Sequence, residues 1–250
     1  MTADKIVIAF DLYGTLLSTE SIAHELAKLY GEQQAKTLAA LWRQYQLEYT
    51  WRINCMGTAS LGRSGRYRSF SDITRSALKH ALAEHALDIS ERDANDLMKA
   101  YDRLHAFLEV SPALKLLKDK SDLVDVYVFS NGTDAMVGNS IKSSPDLGPH
   151  ADLFKSLVTV EDVKAYKPDK RVYAHLLKQV GKEGHKEDVW VVSANPFDIA
   201  GARAAGLNAA FIDRPGKGWI DCLDETSRPN TVALGVEEAM ETIISTINRS

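Results

Sequence analysis

Residues 6–16 read IVIAFDLYGTL, an unbroken apolar run that stops at Asp11 and turns at Gly14. A run of this length with no polar alternation suits a strand covered on both faces. A carboxylate at its carboxyl end stands where an open parallel sheet binds its ligands. The residue two positions on is Tyr13 and not a second acid, which bears on the chemistry considered below.

Moving outward, four more short runs rich in Val, Ile, Phe and Ala occupy residues 124–129, 156–160, 188–193 and 209–213. Between them lie the helical patterns TDAMVGNSIK, PDKRVYAHLLKQV and DIAGARAAG. That alternation predicts an α/β fold with a doubly wound, parallel, five-stranded Rossmann-like sheet. The segment between the first two strands carries almost no strand signal and reads as helical. In AKTLAALWRQYQLEYTWR, Leu38, Leu41, Trp42, Tyr45 and Tyr49 follow three-four spacing, and Ser71 and Ser90 are expected to cap two later helices. The expected organisation is a discontinuous core over 1–17 and 108–250, with a helical cap over 18–107. SLGRSGRYRS, residues 60–69, reads as a solvated loop.

With 250 residues, 45% hydrophobic and 26% charged, the chain has the composition of a globular protein able to bury a core. Thirty basic against 34 acidic side chains, a net charge of -4, argue against a nucleic-acid binder driven by phosphate neutralisation. No stretch approaches the length of a membrane span, and the amino-terminal apolar run is too short for a signal peptide, so a cytoplasmic location is expected. Cys55 and Cys222 lie far apart and lack metal-ligand spacing, which makes them two unpaired thiols.

The residues following each strand are polar in a coordinated way. Asp11 and Thr15 follow the first, Ser130 and Asn131 end the second, Lys167 follows the third, and Ser193, Asn195 and Asp198 follow the fourth. Singly they read as caps, turn formers and a surface cation. Together they put a nucleophile, a cation, hydroxyls and an amide on one rim of the sheet.

This ordered set resembles the haloacid dehalogenase superfamily over nearly the whole chain, including a helical insert after the first motif. The magnesium-dependent phosphatases of that superfamily carry a second Asp two residues after the nucleophile and an acidic fourth motif. Here those places hold Tyr13 and Ala194. Both departures remove equipment for phosphoryl transfer, an acid for the leaving group and a hard oxygen ligand for Mg2+. They resemble the L-2-haloacid dehalogenase branch, as do FDLYGTL, FSNG, YKP followed by VY, and the Ser-x-Asn-x-x-Asp arrangement. A halide leaves without a proton, so a bare carboxylate would suffice.

The resemblance implies roles. Asp11 would attack C2 of a short 2-haloacid and form an ester. Arg43, from LWRQYQLEYTW, would receive the halide ion with Asn131 beside it. Lys167 would oppose the charge of Asp11, Ser193 would orient Lys167, and Thr15 would fix the nucleophile's rotamer. Ser130 and backbone near Leu12 and Tyr13 would hold the substrate carboxylate. Tyr13 and Tyr173 would wall the site, and Leu47, Phe70 and Phe197 would surround the alkyl group. Asn195 and Asp198 would position and activate the hydrolytic water. No metal or cofactor is implied, and a homodimer is. A magnesium-dependent small-molecule phosphatase and a non-catalytic ligand-binding relative stand as alternatives.

Overall fold

A computed structural model describes residues 5–57 and 67–247. Strands β1 (Ile6–Phe10), β2 (Val124–Ser130), β3 (Phe154–Thr159), β4 (Val189–Ser193), β5 (Asn208–Ile212) and β6 (Thr231–Ala233) form one six-stranded sheet in the order β3-β2-β1-β4-β5-β6. Every pairing is parallel. The sheet therefore exceeds the expected five strands by one short edge strand. β6 is three residues long with Val232 facing solvent, too short to show a period in the sequence.

β1 lies at the centre, with Ile8 opposite Val126 on one side and Trp190 on the other. Ile8, Ala9 and Phe10 are fully buried, which is why the run is apolar without alternation. The chain leaves β1 first toward β2 and β3, and later crosses to β4 and β5 on the opposite side. The strand order reverses at β1, so a crevice opens at the carboxyl ends of β1 and β4. Five helices accompany the sheet: α5 (Val110–Asp119), α6 (Asp134–Ser143), α7 (Lys170–Val180), α8 (Pro196–Ala204) and α9 (Val236–Ile247).

Between β1 and α5 the described residues form the α-helices α1 (Ala23–Tyr30), α2 (Glu32–Gly57), α3 (Phe70–Glu84) and α4 (Glu91–Tyr101). Helix α2 packs on α1 and α3 through Leu38, Trp42 and Tyr45, all buried as the spacing predicts. The Trp42 indole N–H donates to the carbonyl of Thr74 at 2.8 Å, so its one polar atom is satisfied inside this packing. Ser90 caps α4, but α3 is capped by Ser69 and not by Ser71. In both caps the serine accepts from the amide of an aspartate three residues on and donates to its carboxylate. Ser71 has Thr74 at that spacing and lacks the acid that completes the cap. Of the loop expected over 60–69, residues 60–66 lie outside the described residues.

Two chain crossings join this helical segment to the sheet and lie side by side. Leu17 bridges Ala106 in antiparallel fashion, Ser18 N–H donates to His105 O at 2.8 Å, and Phe107 N–H donates to Leu16 O at 3.2 Å.

Candidate active site

After β1 the chain closes a tight turn in which the Leu12 carbonyl accepts from the amides of Thr15, Leu16 and Leu17 at 3.3, 3.0 and 2.9 Å. Gly14 takes φ +90°, a conformation other residues rarely hold, and a Cβ there would lie 3.8 Å from Arg43 Nη2 and 3.9 Å from Asn195 Nδ2. The turn thus returns Thr15 to Asp11: its Oγ1 donates to Asp11 Oδ2 at 2.8 Å and accepts from Ala194 N–H at 2.9 Å.

Asp11 is nearly buried and receives two further donors, Asn195 Nδ2 on Oδ2 at 2.8 Å and Lys167 Nζ on Oδ1 at 3.2 Å. Lys167 lies beneath it, buried, donating also to Asp198 Oδ2 at 2.8 Å and to the Phe129 carbonyl at 2.7 Å. Its ammonium sits 4.0 Å from the centre of the Phe129 ring. Asp198 is wholly buried, and its Oδ1 accepts from Tyr173 Oη at 2.8 Å. Burial pushes the Asp198 carboxyl above the usual carboxylate range, against the lowering effect of Lys167. Burial and the neighbouring Asp198 raise the Tyr173 phenol well above its usual value, so it stays a donor. The hydroxyl needs close approach to α8: a Cβ on Gly201 would lie 2.3 Å from it.

Arg43 comes from α2 on the facing side. Its Nη2 donates to Tyr13 O at 3.0 Å and lies 3.5 Å from Asn195 Oδ1, while Nη1 lies 3.5 Å from Gln46 Oε1. Gln46 is buried and accepts from Tyr101 Oη at 2.9 Å. Outward from Arg43, a cavity of about 1080 Å³ opens between α1, α2 and residues 105–108.

Several expected partners differ in the structure. Ser193 does not orient Lys167; its Oγ accepts from Asn195 N–H at 3.1 Å and shapes the turn into α8. The Asn131 oxygen accepts from the Lys167 amide at 2.9 Å, and it is Asn195 that meets Arg43. Tyr173 lies below the site on Asp198 and is no wall of it. Tyr13 is buried, its hydroxyl bonded to Ser140 on α6 and its ring stacked 6.0 Å from Phe70. Burial raises the Tyr13 phenol far from any role as an acid. Ser130 Oγ accepts from Gly132 N–H at 3.0 Å, which leaves its O–H to donate. Phe70 belongs to the core, whereas Leu47 is half-buried and Phe197 meets Trp51 edge-on at 5.5 Å.

Trp51 and Asn54 are contacts the sequence reading missed. Asn54 exchanges a pair of hydrogen bonds with the backbone of Tyr166, 2.7 and 2.9 Å, clasping α2 to the residue before Lys167. The only signal was that they sit four and seven residues beyond Leu47 on the same helix, a phase that α2's apolar stripe does not mark.

Chemically, a carboxylate held by three donors with a fixed guanidinium opposite is arranged for displacement at carbon. Among the described residues, no group of three His, Cys, Asp or Glu side chains is placed to hold a metal ion. A family model for haloacid dehalogenase-like hydrolases matches residues 7–206. The chain belongs to that family. Among its haloacid dehalogenase-like relatives, the (S)-2-haloacid dehalogenase of Pseudomonas sp. (strain YL) is 34% identical over 209 residues, 84% of this chain and 83% of that one. Haloacetate dehalogenase H-2 of Moraxella sp. (strain B) is 33% identical over 212 residues, 84% of this chain and 86% of that one. The solved L-2-haloacid dehalogenase of Xanthobacter autotrophicus superposes with a TM-score of 0.81 at 26% identity, over 96% of this chain and 99% of that one.

Proposed function

We propose that this enzyme hydrolyses short-chain L-2-haloalkanoates to 2-hydroxy acids of inverted configuration through an ester on Asp11. The observation that carries the reading is the approach of Arg43 to Asn195, whose amide also donates to Asp11, so that a permanent cation faces the carboxylate. An oxygen of Asp11 attacks C2 from the face opposite the halogen; the carbon–halogen bond breaks and the halide leaves with its electron pair toward Arg43. The guanidinium keeps its charge and plane while the anion's charge grows, which is how it lowers the barrier. Ser130 O–H anchors the substrate carboxylate, and Leu47, Phe197 and Trp51 border the alkyl group.

Water then attacks the ester carbonyl of Asp11, giving a proton to Asp198; the tetrahedral intermediate collapses as the C2 oxygen leaves and takes that proton from Asp198, and the Asp11 carboxyl gives the water's other proton to solvent, so the hydroxy acid departs with both carboxylates restored. Asn195 positions that water. This chemistry asks for no metal and no acid two residues after the nucleophile, and Tyr13 is turned away to Ser140. The names of the relatives above support a substrate that is a small 2-haloacid. The proposal includes pairing into a homodimer, carried by the family resemblance and read by sedimentation velocity. A cytoplasmic location accords with the finding that no helix of the described residues is long and apolar enough to cross a membrane.

The test is release of halide from L-2-chloropropanoate against release of phosphate from small monoesters, each with and without EDTA. Halide release that chelation leaves unchanged is expected. Activity that EDTA abolishes and Mg2+ restores would return the protein to the phosphatases, and binding without turnover would make it an idle relative.

A further inference from the structure

Arg214 stands outside the constellation described so far, in the loop that follows β5. Its own strand end is firmly held, since Asp213 N–H donates to Ala233 O at 2.7 Å and the Asp213 carboxylate accepts from Gly218 N–H. From there the side chain reaches both crossings between sheet and helical segment. On the outgoing crossing, Nη2 donates to Thr15 O at 2.7 Å and Nη1 to Gly14 O at 3.3 Å. On the returning one, Nε and Nη2 donate to Glu109 Oε1 at 2.9 and 2.6 Å, and the guanidinium lies over the Phe107 ring, its Cζ 3.4 Å from the ring centre.

Only a planar fork with several donors can serve two carbonyls, a carboxylate and a ring at once; an ammonium has neither the plane nor the reach. The ion pair is largely buried, its side chains 20% and 26% exposed, so it is shielded from salt more than a surface pair. Glu109 is itself fixed in place, because a Cβ on Gly235 would lie 2.6 Å from its Cγ. Thr15 is where this bracket meets the chemistry. Its carbonyl is gripped by Arg214 while its hydroxyl donates to Asp11 Oδ2.

We propose that Arg214, set by Glu109, is a positioning residue for the reaction: it locks the two crossings together and so holds Thr15 and Asp11 at the angle of attack. The inference rests on Asp11 being the nucleophile of the proposed dehalogenation. A displacement of the attacking atom of about 1 Å costs on the order of a hundredfold in rate, and substrate binding need not suffer with it.

The experiment compares Arg214→Lys, Arg214→Ala and Glu109→Gln with wild type on L-2-chloropropanoate. In Arg214→Lys, kcat should fall roughly tenfold to a hundredfold while KM stays within about twofold. Guanidinium ion at a non-denaturing concentration should recover part of the kcat lost in Arg214→Ala, and recover nothing in wild type. Amide hydrogen exchange should quicken in peptides covering 12–18 and 104–109 and stay unchanged in α7. Wild-type kcat in Arg214→Lys, or a loss that guanidinium does not restore with both crossings exchanging as before, overturns the proposal. Should Arg214→Ala fail to fold, the Lys and Gln variants carry the comparison. A wild-type protein silent toward the substrate counts against the dehalogenase reading alone, and the exchange measurement, which needs no substrate, then decides the bracket.

Discussion

Arg43 and Asn195 meet across the crevice, Nη2 to Oδ1 at 3.5 Å, although 152 positions separate them in the chain. Asn195 turns its other amide atom to Asp11. One side chain thus connects the residue proposed to receive the halide with the residue proposed to displace it.

Arg43→Ala should lower kcat for halide release by about a hundredfold to a thousandfold, the usual consequence of removing a donor aimed at developing charge. Its thermal midpoint should move by no more than about 3 °C, since Arg43 is only partly buried and adds no apolar side chain to the core. Steady-state kinetics and a melting scan check both halves. Near-normal turnover would reduce Arg43 to an ordinary surface cation.

Asp198→Asn should separate the two chemical steps. The amide cannot take the water's proton, so displacement proceeds and hydrolysis stalls. Incubated with L-2-chloropropanoate, the variant should release about one halide per site in a burst. Intact mass should rise by one propanoate unit, mapped to Asp11. Full steady turnover would remove Asp198 from the role of base, and an adduct elsewhere would overturn the nucleophile.

The pH profile follows from the raised carboxyl of Asp198. As a base it must be ionised, so the rate should fall as pH drops through that raised value, above the ordinary carboxylate range of about 3.9. The stability contribution has the opposite sense. The folded chain holds this proton where the unfolded chain has lost it, so stability falls as pH rises through the same window. The Tyr173 hydrogen bond lowers the Asp198 value, and Tyr173→Phe should therefore shift the acid limb to higher pH. A limb that stays in place would detach Asp198 from the profile.

Gly201→Ala tests the packing behind that pair. The added methyl meets the Tyr173 hydroxyl, and overpacking of this kind costs about 1–3 kcal/mol. Denaturant unfolding should record the loss, and the acid limb should move as in Tyr173→Phe, because the displaced hydroxyl no longer reaches Asp198. Wild-type stability would mean that α7 and α8 part without cost.

The strand ends were readable because buried parallel strands are unbroken apolar runs, and the polar residue that stops each run faces the crevice. Asp11, Lys167, Asn195 and Asp198 were found in this way and do meet. Which way a side chain turns within a few ångströms was not readable: Ser193 closes its own turn, and Tyr173 lies under the floor. The contacts of Arg214, Asn54 and Trp51 were not readable, since their partners are backbone atoms, rings and the Glu109 carboxylate, distant in the chain, and no period in the sequence records such a meeting. Ser69 was in plain view, because the serine–aspartate pair spaced by three that marks Ser90 marks it too.

Among the described charged side chains around the crevice, Asp11, Lys167 and Asp198 belong to the sheet and its flanks, and Arg43 alone comes from the helices between β1 and α5. In the proposed mechanism this divides the labour of one bond cleavage between two stretches of gene: what attacks is encoded in one, what departs is received by the other. Sequence drift or a grafted insert in the helical stretch would retune the departing group while the attacking apparatus is inherited whole.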